Sequence, residues 1–241
     1  MVYLLEDFIL GKVLGSEIVK FTVGEGKRTF FLHKQLLCDS VAYFKAAFAA
    51  GGFKESEEST IDMPKDDPEV FEIFVHWLYR ETVPAATTAQ YFEKLLDLYI
   101  FAEKLCMDAV ADTTIDAIQD SLEFLGEIRS KNLAQIDKIW RNTSSASPLR
   151  KWLIHTLVYD AWDAWDEDES NHPIVLKPEV LASLGEIFKD HPDLYTSFFT
   201  QVRENSSDDH LEGPPNPYDP CAWDLCHFHR HPEGVVCHAT E

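Results

Sequence analysis

The residues best suited to chemistry lie near the C-terminus. The stretch from Cys221 to His238 holds three of the five cysteines and four of the ten histidines. Zinc in proteins favours four tetrahedral nitrogen and sulfur ligands, which imidazoles and thiolates supply. Four residues of this stretch form a predicted structural zinc site: Cys226, His229, His231 and Cys237.

The spacing of these ligands differs from that of common zinc fingers and ribbons, because two, one and five residues separate successive ligands. In an extended segment His229 and His231 point to the same side, since strand side chains alternate. Four protein ligands leave no open position for water, so the pattern favours a structural site. A zinc-dependent enzyme that uses this cluster is the alternative interpretation.

Metal binding alone does not order such a tail. Fixing the backbone costs about 1–2 kcal/mol for each residue that is ordered. A structural zinc contributes about 10–16 kcal/mol in total, which is less than the cost of ordering the whole tail. We therefore expect apolar side chains of the tail to pack on the helical part of the chain: Trp223, Phe228, Val235 and Val236. The alternative is a tail that packs without metal or stays disordered.

The rest of the sequence offers little sign of catalysis. His33 and Cys38 are close enough in sequence to suggest a thiol–imidazole pair, but free cysteine is commonly buried as a small hydrophobe. The sequence has no nucleophile elbow, phosphate-binding loop, dinucleotide fingerprint or zinc-protease helix motif. We therefore predict no catalytic residues and no enzyme activity.

Composition excludes several classes of function. The chain of 241 residues has 42 acidic and 21 basic side chains and a net charge of -21, so a duplex-binding surface of Lys and Arg is not expected. No apolar run is long enough to span a membrane, and no basic segment marks a signal peptide. Few, unevenly spaced cysteines suggest reduced thiols. We predict an intracellular protein, in the cytoplasm, the nucleus or both.

The N-terminal part is predicted to form a small sheet with helices around it. Residues 17–33 fit two strands joined by a turn at 24–27, and residues 59–63 fit a third strand. A helix is predicted to begin with Asp39 or Ser40 as its cap and to reach Phe48.

The clearest helix start follows. Asp67 is a good N-cap, Pro68 suits the first helical position and Glu69 favours the helix dipole. Helical periodicity then continues through segments at residues 88–105, 107–125, 127–141, 148–165, 178–189 and 193–203.

These elements predict an α+β fold that is mostly helical. A small mixed sheet with surrounding helices is followed by an all-helical lobe and a Cys/His-rich tail. The predicted domains are residues 1–110, 111–206 and 207–241, the last with a Pro-rich linker.

Three segments together resemble the BTB/POZ domain: residues 31–56, 61–84 and 95–107. Their motifs occur in the order of that family: His33-Lys34 before Leu36-Leu37, the Tyr43-Phe44 and Phe48 helix, the Asp-Asp-Pro-Glu helix start and Leu98-Tyr99 before Phe101-Ala102-Glu103-Lys104. The resemblance covers about residues 14–110 and is closest to the short BTB proteins of filamentous fungi.

Two positions depart from the family pattern. Val41 stands where the family usually has a Ser, so helix capping is expected to shift to Asp39 or Ser40. Ser16-Glu17 stands where many members have an Asp, which removes the basis for a buried Asp–His contact at His33.

The resemblance implies a non-enzymatic protein–protein interaction module that forms homodimers or docks other proteins. Some family members are adaptors for cullin-3 ubiquitin ligases, so cullin-3 is an implied partner. The segment Val2–Leu10 has one apolar helix face, which either seals a two-fold interface or covers the core of its own lobe. A nuclear regulatory protein recruited to chromatin by partners is a further alternative.

Overall fold

A computed structural model of the chain describes residues 14–49, 59–121, 133–162, 178–206, 214–217, 219–224, 226–231 and 237. The chain divides into two compact units. The first comprises Met1–Val83 and Phe101–Val110, and the second comprises Pro84–Ile100 and Ala111–Glu241. The predicted domain boundaries at residues 110 and 206 stay predictions.

The first unit contains a three-stranded mixed sheet with the strand order β2-β1-β3. Strands β1 (Ile18–Val23) and β2 (Arg28–His33) are antiparallel, and β3 (Thr60–Met63) runs parallel to β1. Alternate residues of β1 are buried, as expected for strands with one face on a core. The predicted strands and turn are confirmed.

The helices after β2 differ from the prediction. Two short helices are present, α1 (Lys34–Ser40) and α2 (Ala42–Ala47), and Val41 separates them in an extended conformation. Asp39 and Ser40 therefore end α1 and do not cap a helix that begins there. The reason is that Val41 is buried in the core, and its β-branched side chain favours extended backbone and provides no capping oxygen.

Helix α3 (Pro68–Arg80) begins as predicted, with the Asp67 side chain accepting a hydrogen bond of 2.8 Å from the Glu69 N–H. It ends at Glu81, which adopts a left-handed conformation with φ 56°. The buried face of α3 packs in an aromatic core. The ring centroid of Phe71 lies 5.1 Å from that of Phe21 and 5.5 Å from that of Phe74.

The remaining elements are helical. They are α4 (Ala89–Lys104), α5 (Asp108–Gln119), α6 (Leu133–Asn142), α7 (Pro148–Trp162), α8 (Pro178–Asp190), α9 (Pro192–Ser206) and a 3-10 turn at Pro220–Ala222. The segments predicted at residues 88–105, 178–189 and 193–203 agree with the observed helices to within three residues, whereas the helix predicted over 107–125 ends at Gln119, six residues early. The prediction of a mostly helical α+β fold with a small mixed sheet is confirmed.

Some predicted features lie outside the described residues. These are the Val2–Leu10 segment, the start of the predicted 127–141 helix, and Val235 and Val236 of the tail. None of the helices in the described ranges has both the length and the apolar composition that crossing a bilayer requires.

Candidate functional site

The structure brings the four predicted zinc ligands together within the second unit. Cys226 begins a turn in which the His229 N–H donates to the Cys226 carbonyl over 3.1 Å. One ligand atom from each of the four residues lies within 4.8 Å of the others: Cys226, His229, His231 and Cys237. Taken as whole residues, Cys237 is buried and the other three are partly exposed, although the side chain of His229 is itself buried.

His229 is held on both sides of its ring. Its Nε2 lies 2.8 Å from Asp116 Oδ1, and its Nδ1 lies 3.2 Å from Cys237 Sγ. The histidine side chain is almost fully buried, so the carboxylate fixes the ring orientation. Burial lowers the pKa of His229, but the hydrogen bond and charge of Asp116 outweigh it and raise the pKa to about 9.

A second carboxylate of α5 supports the backbone beside His229. Asp112 Oδ1 accepts a hydrogen bond of 2.7 Å from the Arg230 N–H. Burial raises the pKa of Asp112 above its ordinary value despite this bond. Asp112 and Asp116 are four residues apart, which places both on one face of α5.

An aromatic cluster docks the same segment on α7. His155 lies with its ring centroid 4.6 Å from Trp223 and 5.8 Å from Phe228. His227 packs against both tail rings, at 4.4 Å from Trp223 and 4.7 Å from Phe228. Trp223 and Phe228 therefore pack on the helical part of the chain, as the sequence predicts.

Polar side chains of the helices bind the backbone of the tail. The Pro217 carbonyl accepts from Trp152 Nε1 over 3.2 Å and from Gln119 Nε2 over 3.4 Å. Lys151 Nζ donates to the His227 carbonyl over 3.0 Å. These bonds satisfy carbonyl groups in a segment that has only one 3-10 turn among its described residues.

Burial shifts the titration of the aromatic cluster and of one thiol. Burial, together with the neighbouring His227 and Lys151, lowers the pKa of His155 to about 4. Burial also lowers the pKa of His227. The pKa of Cys226 is raised by burial and by Cys237.

The cluster has the donor set of a structural metal centre. Two thiols and two imidazoles match the ligands of tetrahedral zinc, and four protein ligands fill its coordination sphere. Sequence reasoning missed Asp112 and Asp116. Their spacing of four in a helix indicates a shared face, but only the fold places that face against residues more than a hundred positions away.

The two residues of the possible thiol–imidazole pair, His33 and Cys38, contact different partners. His33 Nδ1 lies 2.8 Å from the Tyr79 hydroxyl, while Cys38 Sγ faces the Phe44 carbonyl at 3.9 Å. Burial raises the pKa of the Cys38 thiol, which disfavours the nucleophilic thiolate.

The second unit also has a groove of about 440 Å³. Its lining includes Trp140, Arg150 and Gln201, and no carboxylate or imidazole is among the lining residues that the structure describes. The groove therefore offers no convergent acid–base pair.

The first unit exposes large apolar side chains, of which Ile18 and Phe31 lie on the outer face of its sheet and Tyr79 lies in α3. Ile18 is 46% exposed, Phe31 is 65% exposed and Tyr79 is 39% exposed. Ile18 lies opposite His33 and Phe31 lies opposite Lys20 in the strand register, so both occupy the face directed away from the core. Tyr79 is tied to this face by its bond to His33. We call Ile18, Phe31, His33 and Tyr79 the outer-sheet patch.

Comparison with known proteins matches a stretch that includes residues of both units. Residues 19–122 match the family profile of the BTB/POZ domain, which continues past the predicted boundary at residue 110. An Arabidopsis thaliana protein named "ARM repeat protein interacting with ABF2" is 32% identical over 140 residues, covering 56% of this chain and 19% of the relative. The chain thus spans less than a fifth of that relative's length. Since the relative is a plant protein, the likeness to short fungal proteins stays a prediction. The chain therefore contains a BTB/POZ domain over residues 19–122.

Proposed function

We propose that the protein is a non-enzymatic interaction module whose outer-sheet patch binds a second copy of the chain. The observation that carries this proposal is Phe31, which is 65% exposed on a strand whose opposite face lies in the core. Large aromatic side chains are enriched in the buried centres of protein interfaces. An exposed cluster of this kind favours a protein partner over a small molecule.

A second copy suits this patch for two reasons. In a two-fold dimer the same surface is used on both subunits, so Ile18 and Phe31 of each copy would cover their counterparts. Strand β2 is also an edge of the described sheet, and edge strands present backbone groups for pairing with another chain. The BTB/POZ match supports the proposal, because this domain is a protein-interaction fold.

We further propose cullin-3 as a docking partner, which would make the protein a ubiquitin-ligase adaptor. This proposal rests on the BTB/POZ match and on family analogy. The relative's name describes an interaction with another protein, which supports the expectation of a protein partner. We also propose that the protein acts inside the cell, in the cytoplasm, the nucleus or both.

Native mass spectrometry and light scattering of the full chain over a range of concentrations test self-association. The expected result is a dimer that Phe31→Asp converts to a monomer. Tyr195→Asp is the matched control, because Tyr195 is 50% exposed but lies in α9 of the second unit, and it should leave the dimer intact. A chain that is monomeric at every concentration would overturn the dimer proposal.

Co-purification with cullin-3 tests the adaptor proposal separately. A complex that forms with the unaltered chain supports the adaptor role, and the Phe31→Asp variant then reports whether the outer-sheet patch contributes to it. Absence of a complex with folded protein contradicts the adaptor role and leaves the dimer measurement unaffected.

A further inference from the structure

We propose that Cys226, His229, His231 and Cys237 bind one structural Zn²⁺ that fastens the C-terminal segment to helix α5. The proposal is independent of the proposed BTB/POZ interface, since it concerns the second unit alone. It starts from the position of the ligand atoms, all of which lie within 4.8 Å of one another. An ideal tetrahedral zinc shell places its nitrogen and sulfur atoms about 3.3–3.8 Å apart, so small side-chain rotations complete it.

The donor atoms favour zinc. A set of two thiolates and two imidazoles is typical of tetrahedral structural zinc, whereas magnesium and calcium take oxygen ligands. All four ligand positions are filled by protein, so the centre is structural and does not activate a water molecule.

The carboxylates of α5 provide the support that a metal-bound histidine requires. Zinc-ligating histidines almost always donate their other ring N–H to a carboxylate, carbonyl or water. His229 has this arrangement, because Asp116 Oδ1 lies 2.8 Å from Nε2 while Nδ1 faces Cys237 Sγ at 3.2 Å. The geometry therefore assigns Nδ1 as the ligand atom and Asp116 as the positioning residue.

The fastening role follows from the contacts between the C-terminal segment and helix α5. Asp116 holds His229, and Asp112 accepts from the Arg230 N–H over 2.7 Å, so two adjacent tail residues are bound to one helix. The tail has little regular structure among its described residues. Zinc would close the Cys226–Cys237 loop over these anchors and hold the tail without a large apolar core.

The first experiment measures metal content of the full chain, purified under reducing conditions, stripped with a chelator and titrated with Zn²⁺. Native mass spectrometry should show one zinc per chain, and Cys226→Ser and His229→Ala should lose it. Cys221→Ser is the matched control, because Cys221 is an exposed cysteine of the same segment outside the cluster. No bound zinc, or equal retention in all variants, would overturn the proposal.

Cobalt substitution tests the coordination geometry. Co²⁺ in a site with two sulfur and two nitrogen ligands should give the intense visible bands of tetrahedral coordination and a thiolate charge-transfer band. Weak bands typical of octahedral coordination would contradict the assigned ligands.

Asp116→Asn tests the positioning role without removing a ligand. Loss of a carboxylate behind a metal-bound histidine typically weakens metal binding about 10–100-fold, and competition with a chromophoric chelator measures this change. A zinc affinity equal to that of the unaltered chain would show that Asp116 does not position the histidine ligand.

Hydrogen exchange tests the fastening itself. Zinc should slow exchange of the amides from residue 226 to 231 and leave those of β1 unchanged, which also verifies that the variants remain folded. Protection that depends on oxidation of Cys226 and Cys237, and not on zinc, would contradict the proposal. It would show that a disulfide holds the segment.

Discussion

The sheet of the first unit and the tail of the second are held by different forces. The inner face of β1 is apolar and fully buried, with Val19, Phe21 and Val23 inaccessible to solvent. The tail depends more on directed contacts, such as the bond that Trp152 donates to the Pro217 carbonyl and the bond that Asp116 accepts from His229.

The two kinds of contact predict different responses to mutation, pH and metal. Apolar burial is nondirectional and nearly independent of pH, so the sheet should respond mainly to lost volume. Hydrogen bonds between particular atoms depend on protonation and on the identity of each partner. The tail should therefore respond to pH, to metal and to single-atom substitutions.

The largest expected effect is on the core of the first unit. Phe71 is 1% exposed, and its ring lies 4.9 Å from Phe30 and 5.1 Å from Phe21. Phe71→Ala should lower the free energy of unfolding by about 3–5 kcal/mol, because it removes buried apolar surface and leaves a cavity. Urea denaturation measures the change. Phe31→Ala is the control and should lower stability much less; similar losses would contradict apolar burial as the cause.

A smaller effect is expected when acid titrates the tail region. Burial lowers the pKa of His155 from 6.5 to about 4 in the folded protein, where His227 and Lys151 face it. Below pH 6.5 the unfolded chain binds a proton that the folded chain excludes, so stability falls as the pH drops towards 4. Well above pH 6.5 the residue is neutral in both states and contributes no pH dependence. The loss by pH 5 should be about 2 kcal/mol.

The matched measurement compares the unaltered chain with His155→Phe in urea at pH 7 and pH 5, with a chelator present in every sample. The variant should lose less stability on acidification. Equal losses would show that His155 does not carry the pH dependence.

The two regions share an Asp-Pro sequence that allows a direct comparison. Asp67 caps helix α3 by accepting from the Glu69 N–H, and Asp219 accepts from the Cys221 N–H over 2.9 Å at the 3-10 turn. Asp67→Ala should cost about 1 kcal/mol, a typical value for a lost N-cap. Asp219→Ala should lower the free energy of unfolding by less, because Asp219 caps only a three-residue turn. Urea denaturation of both variants checks the order, and the reverse order would contradict it.

The smallest expected effect is on a surface ion pair of the first unit. Arg28 Nη2 lies 2.8 Å from Glu72 Oε2, with both side chains largely exposed. A double-mutant cycle with alanine at both positions should give a coupling energy of about 0.2–1 kcal/mol that decreases as salt is added. A coupling above 2 kcal/mol would show that the pair is shielded from solvent.

Local sequence patterns predicted much of the fold. The start of α3 depends on Asp67, Pro68 and Glu69, which are neighbours in the chain, so its position could be read directly. The break at Val41 could not, because the local pattern permits one continuous helix and the break depends on burial of Val41 in the core.

The sequence predicts the four candidate ligands mainly through residue type, since thiols and imidazoles this dense are uncommon outside metal sites. Spacing could not show whether they meet, because the chain between His231 and Cys237 has no predicted regular element. Their proximity and the support from Asp116 depend on how the tail folds against α5.

Local sequence accounts for the start of α3, the strand pairing around residues 24–27 and the chemistry of the tail, because these depend on neighbouring residues and on residue type. Only the tertiary structure decided which face of the sheet exposes Ile18 and Phe31, and which carboxylates hold His229 and Arg230. The physical reason is that contacts between distant residues depend on packing of the whole unit, which no local pattern encodes.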